Sequence, residues 1–395
     1  MNMRRWAALL LLGAALFCTA LAEMGETLTV GASGEGVLAV KRQLYALGFY
    51  RTDEFTRKYT EDTAQKISLF QTLCGLNATG TVDANTWDAL FREDAPHAPH
   101  ATMKPLATPA PTPAVDWPER DAEGFLAGEG SFVVENDEAG QWIYLDHDLR
   151  VEITRRRDSG AALEWFETEI WCRGDTALET VATDPSRPGR DFRAPYEIAE
   201  EHGFVLGFSD DFYANRMSEK ETVGIIIRQG QIYSEKTNKN NGHYLPNLDM
   251  MAQYPDGTLA VYRCNEITAQ ELLDDGAINV FSFGPILIRD GKINELVYEY
   301  YKSIEPRHAL GMIAPGHYWL LSVQGRTKSS EGTTLQRMAE MMQQKGVTQA
   351  LNLDGGNTMA LVFRGRMLNK LAVYKNKAFI RSVTSLIGIG HENQE

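Results

Sequence analysis

The sequence has few cysteines, no excess of positive charge and no long apolar run beyond its first residues. Each shortage removes a class of protein. Four of the 395 residues are Cys. Setting aside Cys18 in the leader-like start leaves Cys74, Cys172 and Cys264, an odd and sparse set that does not make a disulfide framework. A Cys172–Cys264 pair, or burial as small apolar side chains, are the readings that stand. No CxxC spacing is present for a thiolate zinc site, no HExxH for a helix-borne one, and no Ser-x-Gly-Cys element for a thiolate transpeptidase. Lys and Arg number 39 against 53 Asp and Glu, a net charge of −14. That balance argues against a nucleic-acid partner, because phosphate backbones are held by clustered cations. After residue 22 no apolar stretch approaches the roughly 18 residues a membrane helix needs, so no integral membrane segment is expected beyond the start.

The start itself is an address. Met1–Arg5 is short and basic, Trp6–Thr19 is apolar, and Ala20-Leu21-Ala22 offers small residues before Glu23. This is the three-part secretory pattern, so residues 1–22 are expected to be a signal peptide; an uncleaved anchor is the other reading. Removing Arg4 and Arg5 takes the charge from −14 to −16. A second boundary lies at residues 95–118, where seven prolines in 24 residues exclude a helix or central strand and predict an extended, semi-rigid linker. His97 and His100 within it are read as solvated rather than as metal ligands.

Between these boundaries, residues 28–92 form a small module. Val37, Val40, Leu44 and Leu47 recur at 3-4-3 spacing, Ile67, Phe70 and Leu73 give a second stripe, and Thr86–Phe91 a third short helix. The spacing predicts an all-α, three-helix unit; Tyr50 and Trp87 are read as its core aromatics, with an exposed ring stacking on a sugar as the other reading. The segments Gly31-Ala-Ser-Gly-Glu-Gly-Val37, Leu44 to Tyr50, Phe70-Gln71, Gly75-Leu76 and Gly80-Thr-Val-Asp-Ala-Asn-Thr-Trp87 resemble the peptidoglycan-binding domain of exported bacterial proteins. The resemblance implies a wall glycan as partner and a location outside the cell, at the bacterial wall.

Residues 119–395 alternate short apolar runs with X-Gly turns: Gly224–Ile227 before Gln229-Gly230, Tyr254 before Pro255-Asp-Gly257, Pro285–Ile288 before Asp290-Gly291, and Ala360–Phe363 before Arg364-Gly365. These predict hairpins. Thr268 with Glu271, and Thr333 with Gln336, predict capped helices, the second with a core stripe of Leu335, Met338, Ala339 and Met342. Hairpins interspersed with a few helices point to an α+β domain with a mixed sheet. Its sharpest feature is Ala350-Leu-Asn-Leu-Asp-Gly-Gly-Asn357. Here an apolar strand delivers Asp354 to a turn whose glycines let backbone N–H groups approach a ligand. Alternation places Asn352 and Asp354 on one face.

In their order, Val205–Phe208 with Ser209-Asp210-Asp211-Phe212, Pro306-Arg307-His-Ala-Leu-Gly311, Gln324-Gly-Arg326, Ser330-Glu331-Gly-Thr333, Asn352-Leu-Asp-Gly-Gly356 and Ile380-Arg381 resemble the phosphodiester glycosidase family. The resemblance implies hydrolysis of the bond between a sugar's anomeric carbon and a phosphate oxygen. It carries over Arg307, Gly332, Thr333, Asn352, Asp354, Gly355, Gly356 and Arg381 by matching position, with Arg307, Thr333, Asn352, Gly355, Gly356 and Arg381 read as substrate- and phosphate-binding residues. An oxocarbenium-like transition state needs carboxylates, and the candidates for that work are Asp354, Asp211 and Glu331. Gln324, His308, Asn357 and Ser209-Asp210-Asp211 depart from the family's usual residues, so a changed substrate or a silent site is the competing expectation. The alternatives are a non-catalytic wall-polysaccharide-binding protein and an accessory factor in exopolysaccharide processing. No spacing demands a cofactor, and a metal stays an open alternative: Asp210, Asp211 and Asp354 would suit a divalent cation such as calcium or magnesium.

Overall fold

The computed structural model describes residues 27–47, 49–50, 55–92, 94–96, 98, 106, 113–186, 191–210, 224–236, 248–298 and 303–391. The leader-like start, Gly48, His97, His100 and Asp211 lie outside them. The described residues divide into two compact units, those up to residue 98 with Tyr298, and those of 106–297 and 303–391.

The smaller unit carries helices Glu35–Ala46, Glu61–Leu73 and Ala84–Phe91. Their apolar stripes meet in one core that includes Val37, Leu44, Ile67, Phe70, Trp87 and Tyr50, so both aromatics are core residues. Thr60 and Asp83 cap the second and third helices by accepting from Thr63 and Thr86 N–H. Buried Gln71 ties the loops together: its amide donates to Thr81 O (2.8 Å) and Thr86 Oγ1 (3.0 Å) and accepts from Gly80 N–H (2.9 Å).

The larger unit is α+β. One nine-stranded sheet runs Phe132–Asn136, Gln141–Leu145, Leu149–Asp158, Leu163–Cys172, His317–Val323, Arg307–Ala314, Gln349–Leu353, Ile286–Arg289 and Lys292–Ile293. Two five-stranded sheets accompany it, one centred on Asn279–Phe283 and one on Phe204–Phe208. Among the described residues every pairing in these sheets is antiparallel, where a mixed sheet was expected. The reason is visible in the turns. Gln229, Asp290 and Arg364 all have positive φ, as do the glycines that follow them, which is the tight-hairpin geometry that reverses a strand onto its neighbour. The strand Leu149–Asp158 alternates buried and half-buried residues from Leu149 to Thr154, whereas Gln141–Leu145 and Phe204–Phe208 are buried throughout. Side chains from all three sheets join one core that includes Trp142, Phe166, Phe208, Phe281, Leu310, Leu353 and Phe363.

Thr268 caps helix Ala269–Asp274 in a capping box with Glu271. The next helix begins one residue later than expected: Thr334, not Thr333, caps Leu335–Gln344 by accepting from Arg337 N–H. Leu335, Met338, Ala339 and Met342 are its buried face. Cys74, Cys172 and Cys264 are free thiols, each half-buried rather than fully enclosed. No helix of the described residues is long and apolar enough to cross a membrane.

Candidate active site

Three neighbouring strands of the large sheet end at one edge. Arg307 pairs with Val323 and His308 with Leu353, so the start of one strand meets the ends of its two antiparallel neighbours. The segments leaving that edge enclose an open cleft of about 280 Å³, lined by Phe283, Glu305, Arg307, Arg326, Leu353, Asp354, Gly355, Gly356, Asn357, Tyr374 and Arg381.

The sheet strand stops at Leu353, and Asp354 follows it with its N–H donating to Asp210 O at 3.2 Å. The alternation expected for Asn352 and Asp354 therefore breaks. Asn352 turns into the protein, donating to Gly284 O at 2.8 Å, while Asp354 lines the cleft. Asp210 is buried against Arg228 (3.5 Å) behind this turn. Glycine is required at 355 because a Cβ there would sit 2.5 Å from Pro306 O. The same holds at 332, where φ is +114° and a Cβ would lie 2.5 Å from the Glu305 carbonyl. These close approaches clamp the Glu305–Pro306 segment. Glu305 and Thr333 exchange backbone hydrogen bonds (3.2 and 2.9 Å), and Gly356 N–H donates to Pro306 O at 2.9 Å.

Three guanidinium groups face the cleft. Arg307 is held by Thr333 O (3.4 Å), Ser303 O (3.0 Å) and Ser303 Oγ (3.1 Å). Arg326 forms an ion pair with Glu305 and donates to Asn357 Oδ1 at 2.9 Å. Arg381 donates to Thr358 Oγ1 at 3.4 Å, its backbone N–H to Asn357 O at 2.8 Å. Asn357 also donates to Ala372 O (2.6 Å) and Phe379 O (3.1 Å), which pins the hairpin Val373–Tyr374/Lys377–Ala378 beside the cleft. His308 is packed beneath, near Phe208, with Nδ1 3.0 Å from Ser322 Oγ. Burial pushes its pKa down to about 3, so the imidazole is neutral, and His308 is not part of the cleft lining.

Of the residues singled out from sequence, Asp354, Arg307, Arg381, Gly355 and Gly356 come together. Gly356 N–H is already engaged by Pro306. Asn352 and Thr333 are buried behind the wall, where they position the lining. Glu331 is exposed and outside the lining; its backbone bonds Ala162 and Arg326. Asp211 falls outside the described residues. Among the described residues no three His, Cys, Asp or Glu gather as a metal site. Sequence reasoning missed Glu305, Arg326 and Tyr374. The first stands directly before the matched Pro306-Arg307 and the second ends the matched Gln324-Gly-Arg, so both were within reach of the motifs.

Two carboxylates and three guanidinium groups thus share one cleft lining, and comparison with known proteins agrees with the motifs. Residues 202–390 match the phosphodiester glycosidase family. Residues 33–90 match the family described as "Putative peptidoglycan binding domain". A relative from Bacillus subtilis (strain 168), the SPbeta prophage-derived uncharacterized protein YomE, is 26% identical over 170 residues, 42% of this chain. The match spans 26% of that relative's length. Among solved structures, the zebrafish N-acetylglucosamine-1-phosphodiester alpha-N-acetylglucosaminidase catalytic domain, auto-inhibited by its pro-peptide, aligns over 62% of this chain and 83% of its own at 18% identity and TM-score 0.48. A hypothetical protein from Synechocystis aligns over 67% and 64% at 13% identity and TM-score 0.44.

Proposed function

We propose that the protein is an exported bacterial enzyme, held at the cell wall by its module at 28–92, that hydrolyses the glycosidic bond of sugar-1-phosphodiesters, with an N-acetylglucosamine-like sugar. In this reading residues 1–22 are removed as a signal peptide, 95–118 act as the spacer and 119–395 form the catalytic domain. The observation that carries it is the cleft in which Asp354 and Glu305 face Arg307, Arg326 and Arg381.

The chemistry follows from that charge arrangement. The C1–O bond to phosphate breaks, its electron pair stays on the phosphate oxygen, and a water oxygen bonds to C1. Positive charge grows on the sugar ring as the bond lengthens, and the carboxylates of Asp354 and Glu305 stabilise it. One of them takes the proton that the attacking water loses. The departing phosphate is already a good leaving group, so it needs charge-assisted donors rather than a strong acid; Arg307 and Arg381 offer planar donor pairs for its oxygens. Arg326, held between Glu305 and Asn357, fixes the Glu305 carboxylate. Asp211 keeps its proposed place as a further carboxylate from the neighbouring segment.

The test is release of free sugar from an N-acetylglucosamine-1-phosphodiester by residues 23–395, beside Asp354→Asn, Glu305→Gln and Arg307→Ala. Turnover lost by about three orders of magnitude in the two carboxylate variants, with melting temperatures unchanged, is the expected result. Turnover that survives Asp354→Asn sinks the assignment. Binding of wall glycan without turnover by the parent chain would move the protein to the binding class.

A further inference from the structure

From Gly355 to His391 the chain carries six Lys and Arg and no Asp or Glu, in a protein of net charge −14. Three of the six are already committed away from the cleft: Arg364 and Arg366 pair with Glu135 and Asp137, and Lys370 with Glu164. Arg381 lines the cleft. Lys375 and Lys377 remain, exposed at the tip of the hairpin beside it, and among the described residues neither forms an ion pair.

That hairpin combines cation and apolar surface. Leu371, Val373 and Tyr374, with Ile304 next to Glu305, are 38, 41, 46 and 53% exposed, a concentration of uncovered apolar side chains at one lip of the cleft. The Tyr374 ring lines the cleft, with the Arg326 guanidinium 5.8 Å and Lys375 Nζ 5.3 Å from its centroid. The platform is also held in place. Asn357 grips both ends of the hairpin, and Val373 N–H donates to Arg326 O at 3.0 Å. A ring presented on a fixed backbone loses little freedom on binding, which favours it as a contact surface.

We propose that this hairpin is a second subsite, which holds the next unit of an anionic glycan whose sugars are joined through phosphodiesters. A neighbouring sugar packs on the exposed part of the Tyr374 ring, and Lys375, leaving its place over that ring, joins Lys377 in meeting the phosphate that follows. The cleft takes one phosphodiester through Arg307 and Arg381, and the hairpin lysines continue the same charge outward. This rests on reading the cleft as a sugar-phosphate site, and it names a polymer rather than a small sugar phosphate as the substrate class.

The test uses residues 23–395 with Asp354→Asn, to measure binding without turnover. The probe is an N-acetylglucosamine hexamer linked through 1-phosphodiesters, with uncharged chitohexaose as control. Lys375→Glu/Lys377→Glu, and separately Tyr374→Ala, should weaken the charged hexamer about tenfold at low salt. The lysine pair should leave chitohexaose unaffected and, in the Asp354 parent, leave turnover of a single methyl phosphodiester within about twofold. Equal binding of the hexamer by parent and lysine variant, no binding by the parent, or equal weakening of chitohexaose by the lysine change overturns the subsite. If the parent cleaves neither compound yet binds the hexamer in a lysine-dependent way, the hydrolytic reading fails and the subsite stands. Cleavage of the single diester with no hairpin effect on the hexamer removes the subsite alone.

Discussion

His308 makes the larger unit sensitive to acid. It is fully buried, with Nδ1 against Ser322 Oγ at 3.0 Å and Nε2 without a hydrogen-bond partner among the described residues. A second proton on the ring would place an uncompensated charge in the core, and burial accordingly drives the pKa to about 3. In the unfolded chain the imidazole titrates near 6.5. The folded pKa is the lower of the two, so between these values the unfolded chain binds more protons and stability rises with pH. Stability from this group is present above about pH 6.5 and is lost as pH falls toward 3. At pH 5 the unfolded imidazole is almost fully charged and the folded one is not, which is worth about 2 kcal/mol relative to pH 7.5. The assay is guanidinium unfolding of residues 23–395 from pH 7.5 to 5, in a Trp87→Phe background so that tryptophan emission reports on the larger unit. His308→Gln removes the titration while retaining a polar side chain, so the difference between parent and variant isolates the imidazole from other groups. That difference should shrink by about 2 kcal/mol as pH falls to 5. A difference that stays flat with pH would refute the claim that this histidine is held dry and neutral.

Other residues give sharper local tests. Asn357→Ala removes two amide donations to the hairpin and the acceptor for Arg326, so about 1–3 kcal/mol of stability should go. Hydrogen exchange should speed up over residues 371–379 and not over helix Leu335–Gln344; equal acceleration of both would show that Asn357 is not a local anchor. Gly355→Ala forces a Cβ to 2.5 Å from Pro306 O; turnover should drop by more than tenfold, and a fully active variant would mean the clamp on Glu305 does not matter. Glu331→Gln, outside the cleft, should leave turnover within about twofold, in contrast to Glu305→Gln; the reverse order of effects would return Glu331 to the site.

What could be read from sequence was whatever short-range chemistry decides. The turns at Gln229-Gly230, Asp290-Gly291 and Arg364-Gly365 are set by two residues each, and the Thr268–Glu271 box by four. Thr333 and Thr334 show where such signals tie. Either can cap the helix, and the choice falls to Thr334 because Thr333 is drawn into a bridge with Glu305, 28 positions earlier. The site divides in the same way. Asp354-Gly355-Gly356 announces itself, since a strand running into a carboxylate and two glycines is a local pattern. Glu305 and Arg326 reach the cleft only through the register of three strands, His308 opposite Leu353 and Arg307 opposite Val323. Each borders or ends a matched segment, Pro306-Arg307 for one and Gln324-Gly-Arg for the other, but that adjacency alone does not say whether the side chain enters the cleft. Glu331 is the converse case: it neighbours the matched Gly332-Thr333, yet those residues serve the cleft through backbone contacts that turn the Glu331 side chain outward. Proximity to a motif in sequence is therefore a weak guide here, and position relative to the strand ends is the stronger one. That is why Glu305 rather than Glu331 is the carboxylate to remove first alongside Asp354.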